Sequence, residues 1–268
     1  MKTEEYERMF NLEDHYWWFV GRHRLVEGYI RAEFGNRSDL TILDLGCGTG
    51  AMSKILTRWG TVISSDYSDC ALNFCRRRGN LHLCAADAAR APFQSSRFDL
   101  IIALDILEHL PDDAAALKEI ARLLKPNGVL MATVPAYSKL WSGHDVALMH
   151  YRRYCASEVR KRVIEAGLTV EKLTYTMTIL FPLVWFFRRL LGRKGPPRAT
   201  LVMAPRLLNN LLTGLLAVEN AATHWVTLPF GVTVFCVARR PIPAVEKAVV
   251  HQTGTTAISA AKINQPSC

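Results

Sequence analysis

No two cysteines in this 268-residue sequence stand in a Cys-x-x-Cys spacing, and their number, seven, is odd. Cys47, Cys70, Cys75, Cys84, Cys155, Cys236 and Cys268 therefore suggest neither a disulfide framework nor a zinc ribbon. Such usage fits a reducing, intracellular setting, and we expect a cytoplasmic protein. Long apolar runs are also lacking. The longest nearly uncharged one, Thr176 to Phe187, has 12 residues, against about 20 for a membrane span. The N-terminal run MKTEEYERMF is acidic and polar, unlike a signal peptide. Internal repeats are missing, and so is any recognisable RNA-binding module, so nucleic acid is not an expected partner.

Half of the residues are apolar, enough for a full core and too many for a largely disordered chain. The net charge of +9 is unevenly spread. Residues 1–149 hold 17 Lys/Arg against 19 Asp/Glu, net −2, and residues 150–268 hold 16 against 5, net +11. Within 150–200 the count is 11 against 3, net +8. Charge this local points to a local anionic partner, such as lipid or a phosphorylated substrate.

Residues 4–34 place Tyr6, Phe10, Trp17, Trp18, Tyr29 and Phe34 at helical spacing, which predicts an N-terminal arm (residues 1–39). Strands are predicted at 40–45, 61–65, 81–85, 98–104 and 129–134, and helices at 51–59, 68–78 and 112–124. A helix at 157–166, with Ser157 as its N-cap and Gly167 past its end, precedes strands near 168–175 and 231–238. Strands alternating with helices predict a doubly wound α/β sheet. Its core covers 40–175 and closes with 231–240. An apolar, basic helical insertion fills 176–230, and 241–268 reads as a mobile tail.

The sharpest motif is Leu43-Asp44-Leu45-Gly46-Cys47-Gly48-Thr49-Gly50, between an apolar strand and a helix. Glycines there let the backbone turn tightly and approach a ligand where a β-carbon would clash. Asp66 ends the next strand, where a carboxylate accepts both hydroxyls of a ribose. A nucleoside-containing cofactor follows. The spacing G-x-G-x-G departs from the G-x-G-x-x-G of dinucleotide sites.

The run DLGCGTG, Asp66, Asp87, and FDLIIALDILEHL followed by LLKPNGVLMATVP together resemble the class I S-adenosylmethionine-dependent methyltransferases. The branch is the type 11 one that includes ubiquinone- and menaquinone-pathway enzymes. The resemblance covers about 15–175 and the last strand. It implies a Rossmann-like, seven-stranded sheet, mostly parallel with one antiparallel strand, and S-adenosyl-L-methionine as cofactor. Gly46, Gly48 and Gly50 would then line the methionine and ribose part, with Asp44 beneath it. Asp66 would take the ribose hydroxyls, Tyr67 would pack on the adenine, and Asp87 with Ala88 would read its amino edge. Leu104 and Asp105 would face the sulfonium, and Arg22 or Arg24, on the N-terminal arm, would reach the cofactor carboxylate.

On the substrate side, Tyr16, Trp17 and Trp18 are candidates for a lid or an apolar wall. His109, His144 and His150 are candidate general bases, and Arg152 and Arg153 candidate clamps for a phosphate or carboxylate. Asp105, Glu108 and His109 are only partly similar to the divalent-metal cluster of some ubiquinone-pathway O-methyltransferases, and no metal is expected. The insertion joins Trp185, Phe186 and Phe187 to Arg188, Arg189, Arg193, Lys194 and Arg198, as in a helix lying on an anionic membrane. The expected function is methyl transfer to a lipid-like or lipid-linked anionic acceptor, most readily at oxygen. Its rivals are transfer to a soluble small metabolite and a catalytically silent binding or assembly protein.

Overall fold

The protein is described from a computed structural model, which covers residues 3–190 and 204–243. The chain opens with two helices, α1 (Thr3–Leu12) and α2 (Trp17–Phe34). The sequence pattern suggested one unbroken arm, and the structure interrupts it at residues 13–16. The core then alternates β1 (Leu40–Leu45), α3 (Ala51–Leu56), β2 (Gly60–Asp66), α4 (Asp69–Arg77), β3 (Leu83–Ala85), β4 (Phe98–Leu104), α5 (Asp113–Leu123) and β5 (Leu124–Pro135). After β5 come α6 (Gly143–Ala147), α7 (Ala156–Glu165), β6 (Thr169–Thr176), α8 (Phe181–Leu190), α9 (Arg206–Thr223) and β7 (Thr233–Arg239).

The seven strands form one sheet in the order β3-β2-β1-β4-β5-β7-β6, and β7 alone runs antiparallel to its neighbours. The expected seven-stranded, mostly parallel sheet is therefore present. β4 is apolar along both faces because both are covered. Leu100 and Ile102 pack with Ile30, Ile42 and Leu56 on one side, and Phe98 and Ile101 pack with Leu117, Ile120 and Val163 on the other. Strand order reverses between β1 and β4, and crevices for ligands form at that point in open α/β sheets. Register sets Leu45 beside Ser65 and Asp44 beside Ile102, so the glycine turn, Asp66 and Asp105 meet at one edge of the sheet.

Two local expectations are corrected. Helix α7 begins at Ala156 with Cys155 at the N-cap, because the Glu158 carboxylate reaches back to accept the Cys155 N–H at 2.6 Å. Ser157 is left inside the first turn. Strand β5 starts at Leu124, earlier than expected, and bends through Pro126-Asn127-Gly128 with an irregular register against β4. The insertion is tied to the core. Glu219 of α9, buried, accepts the Thr178 and Ile179 N–H groups ahead of α8, Asn220 donates to Gly21 O of α2, and Tyr29 stacks on His224 at 4.2 Å. The membrane-facing reading of Arg189, Arg193, Lys194 and Arg198, with Phe187, falls outside the described side chains, as does most of the expected mobile tail. No helix among the described residues is long and apolar enough to cross a membrane.

Candidate functional site

The turn after β1 is built from backbone that only glycine adopts without strain. Gly46, Gly48 and Gly50 have φ of +72°, +54° and +84°. Beneath it Asp44, almost fully buried, accepts from Ser53 Oγ at 2.5 Å, and burial pushes its carboxyl up to about 6. Asp66 accepts the Gly48 N–H at 3.0 Å and the Ser68 N–H at 2.9 Å, so one carboxylate braces both the turn and the start of α4. Burial raises its pKa against those donors. Tyr67, 82% exposed, stands at the rim. Asp87 accepts the Ala89 N–H at 2.9 Å beside buried Ala88.

Across the crevice, Leu104 ends β4 and Asp105 follows at φ +51°, a strained conformation for a residue with a side chain. Three contacts hold it there. Its N–H donates to Thr133 O, its Oδ1 accepts from Thr133 Oγ1 at 3.0 Å, and its Oδ2 is paired with Arg22 of α2. Among the described residues, Arg22 Nε is buried with no hydrogen-bond partner. A glycine cradle that a side chain would fill and an unsatisfied guanidinium nitrogen at its edge fit a ligand carrying a ribose and a carboxylate. Beside Arg22, a small cleft is lined by Trp18, Leu25, Thr133, Met177, Leu216 and Thr233.

The arm covers the turn more closely than the sequence indicated. A β-carbon on Gly48 would lie 2.7 Å from Met9 Cε of α1. Arg78, at the end of α4, donates to Phe10 O, Asp14, Glu13 and Thr49 O, at 2.7–3.2 Å. Thr49 Oγ1 also donates to Glu13. Burial pushes the Glu13 carboxyl up to about 7 against these donors. No pattern in the sequence singled out Glu13, Thr49 or Arg78. An arginine closing a helix reads as dipole compensation, and its partners on the arm lie 64–68 residues away.

The aromatic run joins elements together. Tyr16 is buried with Leu12 and Phe19, the Trp17 N–H donates to Asn209 Oδ1 of α9, and Trp18 packs against the cluster formed by Met177, Leu180 and Leu216. Of the three, Trp18 lines the cleft.

The three histidines come together above the end of β4. His150 meets His109 edge to face with ring centroids 4.6 Å apart, and His144 at 6.5 Å. Burial pushes His109 and His144 each down to about 4, so both are neutral. Glu108 is also buried, its pKa is raised by burial and then by Asp105, and its Oε2 has no partner among the described residues. Donor atoms of Glu108, His109 and His150 lie within 4.8 Å of one another, an arrangement that can hold a cation. Asp105, by contrast, is drawn off to Arg22.

Both clamp arginines are engaged inside the protein. Arg153 donates to Asp145 at 2.7 Å and Ala136 O at 2.9 Å, and Arg152 to Pro111 O at 2.7 Å, beside Asp113 at 3.1 Å. Arg188, expected at a membrane surface, turns inward to Leu140 O at 2.9 Å and lies 3.7 Å from Asp145. That inward-facing side chain corrects its interfacial assignment.

Residues 43–132 match the family described as Methyltransferase domain. A demethylmenaquinone methyltransferase of Staphylococcus aureus is 29% identical over 154 residues, which cover 52% of this chain and 62% of that protein. A Mycobacterium tuberculosis protein named "Probable S-adenosylmethionine-dependent methyltransferase" is 28% identical over 155 residues, covering 56% of this chain and 55% of its own length. Each match thus spans less than two thirds of the relative. Among solved structures, a chain from the complex of the Haloferax volcanii Trm112 methyltransferase activator with a methyltransferase aligns over 90% of this chain and 95% of its own, with a TM-score of 0.59 and 21% identity. At that identity the likeness concerns the fold.

Proposed function

We propose that this chain, which belongs to the class I S-adenosylmethionine-dependent methyltransferases of the type 11 branch, transfers a methyl group to a lipid-like or lipid-linked anionic acceptor, at oxygen. Its cofactor is S-adenosylmethionine, which supplies a methyl group already activated on a sulfonium. The observation that carries the reading is the glycine turn: three left-handed glycines braced by Asp66, facing Asp105 across the switch point of the sheet.

In this reading the chain's own work is positioning and exclusion of water. Gly46, Gly48 and Gly50 admit the cofactor to backbone contact. Asp66 takes the ribose hydroxyls while still bracing Gly48, Asp87 and Ala88 read the adenine edge, and Tyr67 lies over the ring. Arg22 uses its unsatisfied Nε for the cofactor carboxylate. The acceptor enters the cleft at Trp18 and Met177, and His150, with His109 and His144 around it, takes the acceptor's proton. Such a base matters when the nucleophile arrives as a hydroxyl.

Support for a lipid-like acceptor comes from the insertion. Leu207 and Leu211, four residues apart on α9, are 85% and 67% exposed, and Leu183 and Phe186 of α8 are also exposed. The demethylmenaquinone name of a relative agrees with an apolar acceptor. Arg152 and Arg153 serve here as loop anchors, because their guanidinium groups are taken up internally.

Labelled S-adenosylmethionine incubated with the protein and a detergent extract of lipids tests the reading. Label passing to an extractable lipid supports it, and label passing only to water-soluble metabolites shows a soluble acceptor. No transfer to either, with the cofactor bound, shows a silent relative.

A further inference from the structure

Asp145 has no accessible surface and sits at the N-terminal turn of α6. One carboxylate oxygen accepts the Ser142 N–H at 2.9 Å and Ser142 Oγ at 3.3 Å. The other accepts from Arg153 Nε at 2.7 Å and faces His150 Nδ1 at 3.0 Å. Burial works against its charge, but His150, Arg153 and Ser142 outweigh it and hold the carboxyl well below the usual carboxylate range. The group is ionised and can only accept hydrogen bonds. The proton between Asp145 and His150 therefore belongs to Nδ1. Whenever the imidazole carries a single proton, that proton is on Nδ1 and the other nitrogen is bare. Among the described residues, the His150 ring is held through Nδ1.

His109, whose ring faces that of His150, is neutral, and burial raises the Glu108 carboxyl close by. His144 is neutral as well, and the cations Arg153 and Arg188 are turned to Asp145 and Leu140 O.

We propose that Asp145 is a positioning residue that fixes His150 in the Nδ1–H tautomer, so that Nε2 is presented bare toward the acceptor. The proposal rests on the reading of His150 as the base. As the acceptor oxygen forms its bond to the methyl carbon, the electron pair of the breaking carbon–sulfur bond stays on sulfur, and the hydroxyl proton passes to Nε2. The Nδ1–H···Asp145 contact then stabilises the imidazolium that results. The sequence held a hint in the adjacent His144-Asp145, but the histidine that Asp145 serves is five residues on.

Removal of the acceptor separates this role from a merely structural one. In Asp145→Ala nothing remains at 3.0 Å from His150 Nδ1 to accept its proton, and the imidazole shifts to the Nε2–H form that free histidine favours.

Long-range proton–nitrogen correlation spectra of the full chain with labelled histidine, at pH 8, read the tautomer directly, with His150→Gln identifying the signal. The expected result is Nδ1–H in the wild type and a majority of Nε2–H in Asp145→Ala. A wild-type signal from the Nε2–H form overturns the proposal, whether or not the variant folds. An unchanged tautomer in folded Asp145→Ala overturns it too. The spectrum needs neither cofactor nor acceptor. Failure of methyl transfer in His150→Gln to differ from wild type would therefore remove the base reading separately, while the tautomer stands or falls on its own signal.

Discussion

Asp66 and Gly48 are one unit at the level of single residues. The Gly48 N–H points at the Asp66 carboxylate, and the Gly48 φ of +54° is what aims it there. A β-branched side chain at position 48 disfavours that conformation and collides with Met9 Cε. Gly48→Val should therefore abolish cofactor binding and loosen α1, with the sheet retained. The check is calorimetry with S-adenosylmethionine beside circular dichroism, and tight binding by the variant would make the turn structural only. Met9→Ala in the Gly48→Val background removes the collision but not the backbone cost, so binding should stay lost. The glycines and Asp66 were legible in the sequence because turn, strand and helix signals are local. Their contact with Met9 was not, because an arm of ordinary amphipathic residues gives no indication of where it docks.

At the level of elements, α1 and the segment around α6 should respond to pH with opposite signs. Glu13 moves from 4.5 to about 7 when the arm is docked, through burial that its Thr49 and Arg78 contacts only partly offset. The docked state holds the proton more tightly, so docking is strongest below pH 4.5 and weakens as pH rises through 7. His109 and His144 move from 6.5 to about 4, through burial first. The native state there resists protonation, so its stability is complete above 6.5 and is lost as pH falls toward 4. Hydrogen exchange corrected for intrinsic rates should show α1 better protected at pH 5.5 than at pH 8, and residues 142–150 the reverse. The same sign in both segments would contradict the assignment.

The arm's clasp can also be broken directly. At pH 8, where Glu13 is ionised, Arg78→Ala leaves it buried without its cation, a change of about 3–5 kcal/mol for a buried pair. Exchange in residues 3–16 should rise steeply while β4 stays protected, and an unaffected arm would show that Arg78 is not the clasp. Helix and strand order was readable from period and breakers. The capping of α7 by Glu158 and the in-turned Arg153 and Arg188 were not, since each depends on a partner brought close by folding.

The charge asymmetry of the whole molecule remains a real feature of the sequence, but the structure redistributes its meaning. Arg152, Arg153 and Arg188 serve internal acceptors, so the proposal of an interfacial face rests on the exposed apolar side chains of α8 and α9. If the acceptor is lipid-like, the protein should sediment with anionic liposomes, and salt should weaken this. Leu207→Asp with Leu211→Asp should lower the partition by roughly tenfold or more. Arg188→Glu should instead destabilise the Asp145 cluster, seen as a lower melting temperature. A wild type that ignores anionic liposomes at low salt would point to a soluble acceptor.

Calorimetric titration of S-adenosylmethionine into the wild type and Asp66→Ala bears most directly on the cofactor site. The glycine turn and Asp66 predict one site per chain. Removing the carboxylate leaves the ribose hydroxyls and the Gly48 N–H without their acceptor, a loss of roughly 2–3 kcal/mol, or about 30- to 150-fold in affinity. A wild type that does not bind, or a folded Asp66→Ala with unchanged affinity, would contradict the assignment.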